Sequence, residues 1–280
     1  MHELRLQFRL PHLLKAATLP RSTFYYQVKA LASSDKYQEL KQAIKTIYAC
    51  HKGRYGYRRV CAEVQKLGHV VSHNTVQRLM GELGLKSRVK VKKYQSYKGK
   101  AGRIAPNHLE RRFMAKQANE KWVTDVTEFK VAGEKLYLSP MMDLFNGEIV
   151  AFEMARRPVF SMVGNMLNKA IATLSGDAKP MVHSDQGWQY QMPGYQRLLS
   201  ETGMVQSMSR KGNCHDNAAM ESFFGTLKSE FFYLSEFSSI DQLESALPEY
   251  IHYYNHERIK LSLGGLSPVQ YRMQASQTSH

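Results

Sequence analysis

Two stretches decide the fold: MVHSDQGWQY, residues 181–190, and NCHDNAAMESFFGTLK, residues 213–228. In the first, the apolar pair Met181 and Val182 leads into Asp185. In the second, Glu221 stands inside a helix-like segment, Asn217 to Phe232, with 35 residues between it and Asp185. Sixty residues upstream of Asp185, Asp125 sits in WVTDVTEFKV (122–131), a run with strand composition. Each carboxylate lies on or just beyond a regular element, and the three form the skeleton of a site able to hold divalent metal.

Helical periodicity makes the second stretch checkable. At 3.6 residues per turn, Met220, Phe223, Phe224, Leu227 and Phe231 share one stripe that must face a core, while Asn217, Glu221, Gly225 and Lys228 share the next. Glu221 and Lys228 therefore point the same way, with a glycine between them that leaves room for approach. An acid beside a base suits a metal beside a phosphate. Two metals about 4 Å apart can activate water or a 3′-hydroxyl and steady the leaving oxygen of an in-line phosphoryl displacement. Hard cations such as Mg2+ or Mn2+ take oxygen ligands, so carboxylates from separate elements are the expected set. Spacing alone does not decide this, because the chain has 24 acidic residues and most acids are simply solvated.

The words around the acids narrow the choice. WVTDVTEF (122–129), MMDLFNGEIVAFEM (141–154), HSDQGWQY (183–190), GNCHDNAAMESFFGTLKSE (212–230) and YYNHERIKLSLGGLSPVQY (253–271) follow one another in an order that resembles the DDE-type transposases of bacterial insertion sequences, whose catalytic domain is like that of retroviral integrases. The resemblance spans Tyr37 to Tyr271. It implies a ribonuclease H-like domain with Asp125, Asp185 and Glu221 as catalytic, metal-binding acids, two Mg2+ or Mn2+ ions, and Lys228 as a basic residue at the DNA. Their carboxyl oxygens are then expected to converge to about 3 to 7 Å, given oxygen–metal bonds near 2.1 Å. Proteins of this family are commonly the downstream half of a frameshifted fusion, the upstream half supplying DNA recognition and a dimerisation helix. Arg258-Ile259-Lys260 departs from the family's usual arginine, any residue, histidine, which leaves the role of Lys260 open.

Composition sets the outer limits. A chain of 280 residues that is 43% hydrophobic buries a sizeable core and has room for two or three domains. No apolar run approaches the 18 or so residues of a membrane span, and Met1 to Leu14 mixes charges into its apolar residues, unlike a secretory signal. Three cysteines, Cys50, Cys61 and Cys214, fit reduced thiols in the cytoplasm rather than a disulfide framework, and the resemblance implies a bacterial protein on the nucleoid. His69 and His73 form an H-x3-H, but no C-x2-C accompanies it, which argues against structural zinc.

The net charge of +15 is uneven: residues 1–118 hold 25 Lys+Arg against 6 Asp+Glu (+19), and residues 119–280 hold 14 against 18 (−4). The front of the chain is the polyanion-binding half. Within it, Leu10–Ala17 and Ser22–Lys29 read as two short helices, with Ser22 as N-cap. Asp35–Tyr48, Arg58–Leu67 and Asn74–Leu83 read as three more, closed by Gly68 and Gly84 and with Ser72 capping the last. That is a helix-turn-helix layout, in which His73, Asn74, Gln77 and Arg78 face outward and offer side chains that read base edges. An ordinary three-helix domain with a polar face gives the same pattern, and the charge favours DNA. Lys86 to Arg103 carries eight basic residues, Lys92 and Lys93 among them, with no acid, and reads as an extended, flexible linker: an arm tracking the DNA backbone, or an inert spacer, which has no need of eight positive charges.

From Lys121 the pattern turns to strands: Trp122–Val131, Leu136–Leu144 and Glu148–Met154, with Asn146-Gly147 as a tight-hairpin signal. A helix (Phe160–Leu174), a strand ending at Asp185, a helix (Tyr195–Glu201), a strand (Met204–Met208) and the glutamate helix follow. In the ribonuclease H-like fold that the resemblance implies, the first strand is central, which would put Asp125 beside Asp185. Asp143 is expected to be structural and Asp216 to cap the glutamate helix.

The domains expected are a partial helix-turn-helix segment (1–34), a helix-turn-helix domain (35–85), a basic linker (86–117), a ribonuclease H-like core with a mixed five-stranded sheet (118–235) and a helical extension (236–280). The function expected is a transposase that cuts at its element's ends and joins the 3′-hydroxyl to target phosphate, working as a homo-oligomer on double-stranded DNA with the upstream reading-frame product. An idle DNA-binding regulator and a ribonuclease H-like nuclease are the alternatives.

Overall fold

The computed structural model describes residues 3–32, 35–89, 104–210 and 214–278. The arm at 90–103, with Lys92 and Lys93, lies outside the described residues. The chain forms two compact units, Met1–Lys86 and Ser87–His280. None of the described helices is long and apolar enough to cross a membrane.

The first unit is helical: α1 (Leu10–Ala16), α2 (Arg21–Ala32), α3 (Gln38–Cys50), α4 (Tyr57–Lys66) and α5 (His73–Glu82). Leu40, Ile44 and Ile47 of α3 pack with Val60, Cys61 and Val64 of α4 and with Val76, Leu79 and Met80 of α5 as the buried set. Both glycine stops hold. Gly68 and Gly84 are left-handed (φ +90 and +68), and the next residues close each helix, His69 N–H on the Val64 carbonyl and Leu85 N–H on Met80. Ser72 Oγ accepts the Thr75 N–H at 3.3 Å, as a cap should. Ser22 is not a cap: the Phe24 N–H already bonds the Pro20 carbonyl, so α2 opens one residue earlier and Ser22 lies inside it.

The second unit is built on one mixed sheet. Its strands are β1 (Lys121–Thr124), β2 (Thr127–Val131), β3 (Glu134–Asp143), β4 (Ile149–Ala155), β5 (Met181–Ser184) and β6 (Gln206–Met208). The path is β2–β3–β1–β5–β6, with β4 on the other side of β3. Six segments replace the five expected because the first strand breaks at Asp125–Val126. Register carries through the break, Thr124 opposite Met141 and Thr127 opposite Leu138, so Asp125 falls opposite Pro140, which has no N–H to give. The hairpin after β3 is wider than a two-residue turn, since the Gly147 N–H bonds the Asp143 carbonyl and Asn146 reaches the Pro268 carbonyl.

Helices cover both faces. α6 (Phe160–Ala172) and α7 (Pro193–Glu201) pack with Trp122, Met141 and Val182 on one side. On the other, α8 (Ala218–Leu227) and α9 (Ile240–His256) pack with Val123, Met142, Phe129 and Leu138. Trp122 and Val123 thus face opposite cores, as strand alternation demands. The segment after residue 236 is part of this core: Ile240, Leu243, Leu247, Tyr250 and Ile251 are buried on the sheet. The last helix, α10 (Pro268–Thr278), anchors through Arg272 to buried Asp143 and to Glu148, which gives Asp143 the structural role expected of it.

Candidate active site

The topology brings two acids together before any side-chain detail. β1 and β5 run parallel with Lys121 beside Met181, Trp122 beside Val182 and Val123 beside His183. Two residues further on, that register sets Asp125 beside Asp185, each one residue past the end of its strand. By alternation both follow Val123 and His183 on the α8 face. Glu221 lies in the first turn of α8, whose buried stripe is Met220, Phe223, Phe224 and Leu227, as the periodicity requires. Glu221, Gly225 and Lys228 are all partly exposed beside that stripe, and a side chain at Gly225 would meet nothing within 4 Å. The helix then widens into a π turn, Lys228–Phe232.

Charge confirms the neighbourhood. Burial first, then the negative charges of Asp185 and Glu221, push the Asp125 carboxyl well above the usual range, with Lys228 pulling the other way. Burial raises Asp185 as well. Burial lowers the Lys228 ammonium, countered by Glu128 and Asp125, and its Nζ sits 5.4 Å from the Phe129 ring centre. Tyr190 is buried behind the pair: its hydroxyl lies 3.3 Å from Thr124 Oγ1, and burial with the two aspartates keeps it protonated.

All three carboxylates do not close on one point. Among the described residues no group of three or more His, Cys, Asp and Glu is gathered to hold a metal ion. Asp125 Oδ1 accepts the Val126 N–H at 2.7 Å and Asp185 Oδ1 accepts the Gly187 N–H at 2.8 Å, so one oxygen of each aspartate is engaged by neighbouring backbone. Burial first and then the neighbouring carboxylates raise Asp125, a cost that a hard divalent cation relieves, and carboxylate oxygens are the donors such a cation takes, so the residues fit it.

Several residues that hold this site carry no signal in local pattern. Asn217 Nδ2 donates to the Thr124 carbonyl at 3.2 Å, tying the head of α8 to the end of β1, and its Oδ1 is buried without a partner among the described residues. Asp216 is no helix cap. Its buried carboxylate takes Arg210, Arg111 and Asn107 at 3.0–3.1 Å, and Arg210 first among them holds it far below the usual range. His183 is fully buried and pushed down to about 4 by burial. Lys260 Nζ lies 3.1 Å from the Gly147 carbonyl and 4.8 Å from the Tyr254 ring centre, so it braces the β3–β4 hairpin.

Of the candidate DNA readers, His73, Asn74, Gln77 and Arg78 are all exposed on α5. Arg78 is already engaged: it pairs with Glu82 and lies over Tyr37, its guanidinium carbon 5.3 Å from the ring centre. Glu82 also takes Lys41 at 3.0 Å.

Two aspartates ending adjacent parallel strands, with a glutamate on the helix that covers them, define an integrase-type core, and the chain matches the integrase core domain family over residues 115–214 and again over 221–275. Residues 36–93 match an HTH-like domain family. A putative transposase of insertion sequence element IS150 from Escherichia coli (strain K12) is 56% identical, covering 98% of this chain and 97% of that one. A probable transposase of IS1353 from Shigella flexneri is 39% identical over 96% of this chain and 53% of its own length. The HTLV-2 integrase catalytic core solved with magnesium is 17% identical, covering 56% of this chain and 98% of that chain, with a TM-score of 0.44. The chain belongs to the insertion-sequence transposases, DDE-type polynucleotidyl transferases with an HTH-like DNA-binding part.

Proposed function

We propose that Asp125, Asp185 and Glu221 are the acids of strand cleavage and joining and that they hold two divalent ions, Mg2+ or Mn2+. The observation that carries this is the register of β1 on β5, which pairs the two aspartates under the helix bearing Glu221. Bound there, the cations would supply activation of the attacking oxygen and neutralisation of the leaving one. The chain's own part is to fix the acids on rigid strand ends, to present Lys228 to a DNA phosphate two helical turns from Glu221, and to keep Tyr190 protonated as a neutral wall beside the aspartates. In the first unit, His73, Asn74 and Gln77 are offered to base edges. Arg78 is the weaker reader while Glu82 holds it. Lys92 and Lys93 are assigned to phosphate contact from charge alone.

We further assign a homo-oligomer assembled on double-stranded element ends and target, in the cytoplasm at the nucleoid, and an upstream reading-frame product fused to or bound by this chain.

End joining of labelled oligonucleotides tests the reading. The parent should join ends with Mg2+ and not in EDTA. Asp185→Asn, which keeps size and removes charge, should abolish joining yet retain end binding. Joining by Asp185→Asn in Mg2+ would remove that residue from the site, and a parent that binds ends but never cuts them would make the chain a regulator.

A further inference from the structure

The sheet edge at β6 is covered. Residues 104–112 run beside it, with the Met208 N–H on the Pro106 carbonyl at 3.2 Å and the Ala105 N–H on Met208 Sδ at 3.3 Å. This strap, the stretch of chain that follows the basic arm, is fastened again deeper in. The N–H groups of His108 and Leu109 both donate to Ser207 Oγ, at 2.9 and 3.1 Å. Ser207 Oγ lies 2.9 Å from His183 Nδ1, and across the ring His183 Nε2 lies 3.1 Å from Ser209 Oγ. Ser209 Oγ reaches the Ser184 carbonyl at 3.3 Å. Neither His183 nor Ser207 has exposed surface.

Counting protons fixes the direction of this chain of bonds. A hydroxyl has one proton and two lone pairs. Ser207 Oγ commits both lone pairs to the strap amides, so its proton goes to His183 Nδ1. That nitrogen is therefore an acceptor, and the neutral ring carries its proton on Nε2 and gives it to Ser209. The Ser209 proton then goes to the Ser184 carbonyl, which belongs to the peptide bond leading into Asp185. This orientation satisfies the strap amides, both serines and both ring nitrogens, with the Asp216 backbone as a further neighbour of the ring, and it ends next to the aspartate.

We propose that His183, neutral with its proton on Nε2, is a positioning residue that transmits the seating of the 104–112 strap to the peptide of Asp185, so that this aspartate is set for metal while the strap is docked. The proposal rests on the reading of Asp185 as a metal ligand. A residue that acts through a ligand's backbone typically changes metal affinity by tenfold or more when its bonds are cut.

Two measurements on the full chain test it. The first is the 15N signature of the His183 ring, assigned by difference against His183→Gln. Nδ1 should be unprotonated and Nε2 protonated, and a proton on Nδ1 overturns the proposal. The second is Mn2+ binding to the DNA-free protein, compared among the parent, Ser207→Ala, Ser207→Thr and Asp185→Asn. Ser207→Ala should weaken binding by about tenfold and Ser207→Thr, which keeps the hydroxyl, should recover it. Unchanged Mn2+ binding in Ser207→Ala defeats the inference alone, whereas unchanged binding in Asp185→Asn defeats the metal reading beneath it. Should Ser207→Ala fail to fold, the ring tautomer decides by itself.

Discussion

Asp125 is kept ionisable at a cost to the fold. Its folded pKa lies above the unfolded value, so folding disfavours the charged form. That penalty is absent at pH well below the unfolded pKa and grows as pH rises through the raised one. Metal-free protein should therefore lose stability from this group on going from mildly acidic to alkaline pH, and Mg2+ should restore more at pH 8 than at pH 5. Asp125→Asn keeps an acceptor for the Val126 N–H and removes the like charge. In EDTA at pH 8 we expect it to melt higher than the parent, by a few degrees at roughly 2–4 °C per kcal/mol for a chain of this size. It should also lose the Mg2+-induced rise. A variant that melts lower than the parent would show that burying a charge beside Asp185 and Glu221 is not a cost to the fold. Gly187 is the second residue at this scale: a Cβ there would stand 2.9 Å from Asp185 Oδ1 and 3.2 Å from Tyr190 Cδ2. Gly187→Ala should cut the joining rate by about tenfold or more, because small misplacements at a reacting centre are costly, with little change in melting temperature. Full activity in that variant would mean that the Asp185 carboxylate has slack to move.

At the scale of elements, the π turn after α8 turns Glu230 inward onto Arg258 at the end of α9. The pair is bidentate at 2.7 and 2.7 Å, almost fully buried, with the Tyr250 hydroxyl 3.4 Å from Glu230. It fastens the helix that bears Glu221 to the one behind it. Breaking a buried pair from one side leaves an uncompensated charge, so Arg258→Met alone should cost about 3–5 kcal/mol in urea unfolding, while Arg258→Met with Glu230→Met should cost less than that single change. A double variant worse than Arg258→Met would show that packing, not charge, sets the value. Arg258→Lys should not substitute, since it lacks the planar fork. Neither the pair nor the turn is legible in local sequence. The α8 stripe is legible from period and the glycine stops from their residue type, while the central place of the first strand comes from the resemblance. Asp185 is placed because it follows the apolar pair Met181 and Val182, Asp125 because it lies inside a run with strand composition, and the resemblance singles out both. The break at Asp125 has its cause in Pro140 on another strand, and Asp216 looked like a cap because the guanidinium groups that claim it come from Arg111 and Arg210, elsewhere in the chain. The tail read as an extension because the sheet face that buries Ile240, Leu243 and Leu247 is far away in sequence.

At the scale of the whole molecule, charge and chemistry are divided between the two ends. The +19 of residues 1–118 precedes a −4 remainder, so attraction to DNA resides in the front of the chain and the phosphate chemistry in the back. Yet the front is a sparse reader. α1 buries no residue, Phe24 is the buried apolar anchor on α2, and Leu6, Phe8 and Tyr26 are exposed around them, too little burial to offset the ordering of two short helices. Of the four outward side chains on α5, Arg78 is held by Glu82. Binding by this chain alone should thus be dominated by phosphates, and its own element's end should be little preferred over scrambled DNA. The measurement is affinity for both DNAs at several salt concentrations, for this chain and for a fusion carrying the upstream product. A steep fall of affinity with salt and a small preference is the expected result for the chain, and a clear preference for the fusion. Discrimination of about a thousandfold by the isolated chain, the lower bound of typical specific binders, would mean that residues 35–84 suffice for recognition and that no upstream half is needed for it.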